Sequence, residues 1–147
     1  MLLLDVKNRR WSREMCDVCG ISEQMLPELH ESYEVVGMLK KEIADKFGLK
    51  DVKIIAGAGD NAAAAVGTGV VGEGGCNISL GTSGTLFVSS ASYKEDKVNA
   101  LHSFCHADGG WHLMGCILSA ASCNSWWVNG ILQSADYKKE EDGLDEV

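Results

Sequence analysis

The residues best suited to chemistry lie between Val52 and Val88, a glycine-crowded run whose charged side chains are Lys53, Asp60 and Glu73. Asp60 stands in AGAGDNAAAA among small and apolar residues, where burying a lone carboxylate is costly without a partner or a purpose. Asn61 beside it can both donate and accept hydrogen bonds. Gly57 and Gly59 bring the chain out tightly and leave backbone N–H groups free to face a ligand. The pattern predicts a polar small-molecule site with one acid, Asp60. A second reading stays open for that residue: the carboxylate can cap the helix that follows it. Two adjacent polar side chains cannot both serve as one cap, so Asn61 is harder to explain that way.

A second candidate is the loop GTSG, with Gly81, Thr82 and Ser83 offering successive N–H groups and two hydroxyls to phosphate oxygens. Glycine and serine are equally common in ordinary hairpin turns, so the four residues alone do not decide. They are not a Walker A loop: no Gly-Lys-Ser/Thr follows, and the loop leads into a strand rather than a helix. HSFCHA supplies His102, Cys105 and His106, and Cys16 and Cys19 form one CxxC pair. A zinc site is conceivable from these types. SREMCDVCG reads instead as a helix whose cysteines pack, and Cys76, Cys116 and Cys123 read as small buried hydrophobes, all six thiols being reduced.

These residues must be positioned by an α/β arrangement. A strand over Leu2–Val6 leads to a helix that opens near Ser12 and stops at Gly20, and Ser22 caps a brief turn over Glu23–Leu26. A short strand is expected at Tyr33–Val36, then a helix over Lys40–Phe47 with Ile43, Ala44 and Phe47 on one side and Gly48 as its stop. Val52–Ala56 reads as a strand buried on both faces, with Asp60 beyond its C-terminal edge and a helix over Asn61–Val66, where α/β folds place ligands. Strands at Cys76–Leu80 and Thr85–Ser89 flank GTSG as a hairpin. A polar stretch at 93–99 precedes a strand pair, His102–Ala107 and Trp111–Cys116, turning across Asp108, Gly109 and Gly110. A helix opening at Ser119 packs Trp126 and Trp127, and the acidic stretch from 138 to 147 reads as a solvated linker.

At 147 residues, 46% hydrophobic and 23% charged, the chain is long enough for one domain with a core. A net charge of −8 argues against broad nucleic-acid or anionic-membrane binding. No apolar run approaches the roughly 20 residues of a membrane helix, and the start MLLLDVKNRR lacks a secretory pattern, so a cytoplasmic location is expected.

The ordered set PELHESYEVVGML, VKIIAGAGDNAAAAVGTGVV, NISLGTSGTLFV, ALHSFCHA and WHLMGCILSAASCNSWW resembles the FGGY carbohydrate kinases, the xylulokinase branch above all. The resemblance covers nearly the whole chain. It implies a partial actin-like ATPase (ribonuclease H-like) α/β fold: residues 1–75 would end the N-terminal, sugar-binding domain and 76–147 would begin the C-terminal, ATP-binding domain. It implies that Asp60 is catalytic base and sugar contact, and that Asn61 contacts the sugar. Gly81, Thr82 and Ser83 would reach the phosphates of ATP, Thr82 most directly. The implied reaction moves the γ-phosphate of ATP, with Mg²⁺, to the 5-hydroxyl of D-xylulose. No role follows for His102 or His106 beyond hydrogen bonding in the core. The chain lacks the family's early DxGT-type phosphate loop and its later adenosine-binding glycine segment, so an internal fragment with an incomplete cleft is expected. Two alternatives stand beside this: a kinase for another sugar or polyol of the same family, and a catalytically silent structural or interaction fragment, whose signature would be a homodimer interface.

Overall fold

The computed structural model describes residues 2–98 and 101–133. The chain divides into two compact units, Met1–Asn77 with Phe87–Met114, and Ile78–Leu86 with Gly115–Val147.

The first unit opens with a two-stranded hairpin, β1 (Leu4–Asp5) antiparallel to β2 (Arg10–Trp11). Asp5 holds its turn by accepting from the backbone N–H and side-chain amide of Asn8 at 3.2 and 2.7 Å. Helix α1 (Arg13–Cys19) begins where expected, because the Ser12 hydroxyl accepts the Met15 N–H. It ends at Gly20, whose φ of 65° is the left-handed conformation that glycine adopts without a Cβ penalty. A 3₁₀ turn over Glu23–Met25 is capped by Ser22 in the same way. Strand β3 (Val35–Met38) lies two residues later than the sequence suggests and pairs antiparallel with β4 (Lys53–Ile55) across α2 (Lys41–Lys46).

This β3–β4 ribbon corrects one expectation. The apolar run Val52–Ala56 predicts a strand buried on both faces, yet all three residues of β4 are exposed. Only β3 pairs with β4 among the described residues, and a two-stranded ribbon without a covering layer cannot bury its side chains. The apolar side of α2 is likewise open, with Ile43 and Phe47 both exposed. The core lies instead where α3 (Asp60–Gly67) and the segment after it meet strand residues: Ala65, Val70 and Phe87 are buried together, with Ala62 packed against them.

A four-stranded sheet has the order β5–β6–β8–β7, comprising β5 (Cys76–Leu80), β6 (Gly84–Ser90), β7 (His102–Cys105) and β8 (Trp111–Ile117). Strands β7 and β8 are antiparallel, with Phe104 opposite His112 and Cys105 opposite Trp111, so the expected turn at Asp108–Gly110 is present. In the second unit, α4 (Ala121–Trp126) continues as a π-helical turn over Trp127–Leu132, which the sequence did not suggest. Trp126 is exposed and Trp127 only half-buried, so the pair packs less fully than expected. The expected linker at 138–147 lies outside the described residues. No helix among the described residues is long and apolar enough to cross a membrane.

All six cysteines are free. Cys16 is buried, as a packing residue of α1 should be, but Cys19 of the same helix and Cys76, Cys116 and Cys123 are exposed rather than buried. Cys76 and Cys116 lie in strands with open positions, and Cys123 lies in a helix with no buried residue.

Candidate functional site

Asp60 is the first residue of α3, and Gly59, in extended conformation, is its N-cap. The carboxylate therefore does not cap in the usual sense. Its Oδ1 accepts the Asn61 backbone N–H at 2.8 Å and the Asn61 side-chain amide at 3.3 Å. Asp60 is exposed, which corrects the premise that it is a buried lone acid. Gly57, with φ 79°, makes the sharp exit from β4. Its N–H donates to Ser32 O at 2.9 Å, pinning the loop that carries Asp60. Gly59 has φ −65° and needs no glycine for conformation.

Asp60 and Asn61 both line a cavity of about 680 Å³, which also receives Arg9, Glu31, Phe104 and His112. This volume suits a small organic ligand. One wall is a polar clamp. The Arg9 guanidinium reaches Glu31 Oε1 at 2.5 Å, donates to the carbonyls of Gly109 and, at 2.8 Å, Gly110, and lies 4.4 Å from the Trp111 ring centroid. Trp111 in turn donates to Val6 O at 3.0 Å. Arg9 thus ties the β1–β2 hairpin to the turn between β7 and β8.

The histidines separate. His102 is exposed on β7. His106 is buried, its Nδ1 accepts the Ala107 N–H at 2.8 Å, and its Nε2 is 2.9 Å from Val70 O. An accepting Nδ1 carries no proton, so Nε2–H donates to the carbonyl. This is the core hydrogen-bonding role expected for it. Sequence reasoning missed Arg9, Glu31 and His112. Arg9 precedes a strand too short to leave a periodic signal, and Glu31 lies in a connector. The signal available for His112 was its alternation with Met114 in WHLM, the pattern of one strand face.

The GTSG segment is the turn between β5 and β6 in the second unit. Gly81 N–H donates to Ser83 O at 2.9 Å, while Gly81 O and Thr82 O accept the N–H groups of Ala121 and Ala120 at 2.9 and 2.8 Å. Ser122 Oγ also donates to Thr82 O at 3.0 Å, and Ser83 Oγ donates to Leu118 O at 3.2 Å. The carbonyls that would repel an anion are thereby occupied, and Thr82 is exposed. Gly84 is needed for close packing: a Cβ there would lie 3.0 Å from both Ala120 Cβ and Ile117 Cγ1. The hairpin expectation holds. Among the described residues no cluster of three or more His, Cys, Asp or Glu could hold a metal ion.

Residues 1–67 match the model of the FGGY family of carbohydrate kinases, N-terminal domain. Over 124 residues, 84% of this chain, the sequence is 46% identical to xylulose kinase of Escherichia coli K12, covering 26% of that protein. It is 40% identical to xylulose kinase of Lactococcus lactis over 128 residues, 86% of this chain and 25% of that protein. The chain thus spans about a quarter of the length of these curated relatives. Among solved structures, a xyloylose kinase from Brucella ovis superposes with a TM-score of 0.83 at 43% identity, covering 90% of this chain and 28% of that one. A gluconate kinase from Lactobacillus acidophilus superposes with a TM-score of 0.77 at 26% identity, covering 97% of this chain and 29% of that one. With an α/β fold of the actin-like ATPase type, partial in extent, the chain belongs to the FGGY family of carbohydrate kinases and is xylulokinase-like.

Proposed function

We propose that a protein containing this segment phosphorylates a sugar, D-xylulose, at its 5-hydroxyl with ATP. The observation that carries this reading is Asp60 with Asn61 at the mouth of α3, lining a cavity in a segment 46% identical to a xylulose kinase. In this reading residues 1–75 end the sugar-binding domain and 76–147 begin the ATP-binding domain. Asn61 orients the sugar, and the turn of Gly81, Thr82 and Ser83 holds phosphate oxygens, with Thr82 as the direct contact. Mg²⁺, when bound with ATP, offsets phosphate charge; its ligands would be phosphate oxygens and water with one or two carboxylates, the usual pattern for this ion.

The sugar oxygen attacks the γ-phosphorus as the bond to the β–γ bridging oxygen breaks, leaving ADP, and Asp60 takes the hydroxyl proton. A carboxylate is a weak base toward a free alcohol, so Asp60 acts by orienting the nucleophile and by accepting the proton late, once the oxygen has become acidic. Loss of a positioned base costs about 10²–10⁴ in rate. Asp60→Asn in the full-length enzyme is expected to lower kcat by that factor while leaving unfolding unchanged; a normal kcat would refute the assignment. The likeness to a gluconate kinase supports a second reading, a related sugar or polyol substrate. ADP release with D-xylulose, gluconate and glycerol separates the two. Sugar-dependent release by the 147-residue chain above an Asp60→Ala control would show a working site within it, and no release from any of the three would favour the silent, structural reading of this chain.

A further inference from the structure

Phe87, His106 and His112 are buried together in the first unit. The His112 ring stacks on Phe87 at 3.9 Å and 20°, with Phe104 at 5.3 Å and the edge of His106 at 5.7 Å. His106 has both ring nitrogens engaged, but His112 does not. His112 is 5% exposed, and its buried Nδ1 has no hydrogen-bond partner among the described residues. A buried polar atom left unpaired is costly, and native folds keep few of them without a function. His112 also lines the cavity that Asp60 and Asn61 line. Burial, reinforced by neighbouring His106 against the weaker pull of Asp108, lowers the His112 pKa to about 4, so the ring is neutral near pH 7. A neutral imidazole offers one donor and one acceptor, the pair that a hydroxyl matches.

We infer that His112 is a binding residue for the ligand of the Asp60 cavity, its unpaired ring nitrogen hydrogen-bonding a hydroxyl of a neutral polyol. This rests on the proposed sugar-kinase reading. Stacking between aromatic rings fixes the imidazole plane, so ligand binding costs little further ordering of this side chain. The ring touches the ligand's hydroxyl rather than a reacting atom, so its effect falls on binding, in KM before kcat.

The test is a ring-nitrogen NMR titration of the 147-residue chain with D-xylulose, following the backbone amides of residues 57–61 in the same samples. The expected result is a saturable shift of both the His112 ring nitrogens and those amides, at one apparent Kd. Two substitutions separate binding from packing. His112→Phe keeps the stack on Phe87 and removes the unpaired nitrogen, so it should be at least as stable as the parent near pH 7 yet bind about tenfold more weakly. His112→Asn places an amide oxygen near the Nδ1 position and loses the stack, so it should be less stable yet bind within about threefold of the parent. Amide shifts without His112 shifts, or equal binding by His112→Phe, would overturn the His112 assignment and leave the sugar site standing. Absence of both sets of shifts would overturn the sugar site in this chain, and the His112 assignment with it.

Discussion

The Arg9–Glu31 pair gives the most direct test of how the cavity wall is held. Their side chains are 28% and 25% exposed, so the pair is neither a free surface bridge nor a fully desolvated one. Exposed pairs are worth about 0–1 kcal/mol, and removal of one partner of a buried pair costs about 3–5 kcal/mol. Arg9 also supplies the Gly109 and Gly110 carbonyls with donors and stacks on Trp111, adding about 0.5–1 kcal/mol from the ring contact. An intermediate total follows: Arg9→Met should lose about 2–4 kcal/mol, above the roughly 1 kcal/mol expected of an average substitution. Glu31→Gln, which leaves the carbonyl bonds and the ring contact in place, should lose about 1–2 kcal/mol. The pairwise term, read from urea unfolding of the parent, both single variants and the double variant, should be about 1 kcal/mol. Trp111 fluorescence should also change in Arg9→Met alone. A coupling within about 0.3 kcal/mol of zero, with Arg9→Met no worse than Glu31→Gln, would refute the view that Arg9 clamps the hairpin to the β7–β8 turn.

Three further outcomes are expected. Gly110→Ala places a Cβ 2.8 Å from Ser90 O and 3.1 Å from Asp108 Oδ1, so the turn must shift; thermal unfolding should show a loss of about 1–3 kcal/mol. Glu73 accepts from Lys94 Nζ at 2.5 Å, from the Ala91 N–H at 2.7 Å and from Ser90 Oγ at 3.1 Å, and these bonds hold its carboxyl at about 2, against 4.5 for a free side chain. A depressed folded-state pKa adds stability that is complete above about 4.5 and lost as pH falls toward 2, so Tm of the parent should fall through that window more steeply than Tm of Glu73→Gln. His112, lowered to about 4 from 6.5, adds stability present above 6.5 and lost toward 4; His112→Phe should flatten Tm against pH across that higher interval and leave the lower one unchanged.

Local chemistry made much of the fold legible from the residues alone. Ser12 and Gly20 bound α1 because one supplies a side-chain acceptor to the first turn and the other accepts a left-handed backbone. The strand–GTSG–strand hairpin and the pair across Asp108–Gly110 follow from alternation punctuated by glycine. Asp60 and Asn61 stand out as candidates by contrast with their neighbours, and the family likeness is carried by ordered motifs. Tertiary structure decided the rest, since burial depends on what covers an element. The apolar run at Val52–Ala56 forms β4, but its exposure follows from the two-stranded ribbon, which is a fact of pairing rather than of composition. Cys76, Cys116 and Cys123 have the types of buried residues and open positions. The Arg9 clamp joins residues about a hundred positions apart, and the unpaired nitrogen of His112 exists only once Phe87 and Phe104 close on the ring. Sequence pattern reports which groups the chain carries and how its backbone turns; distant packing alone determines which of those groups are covered, paired or left facing a cavity.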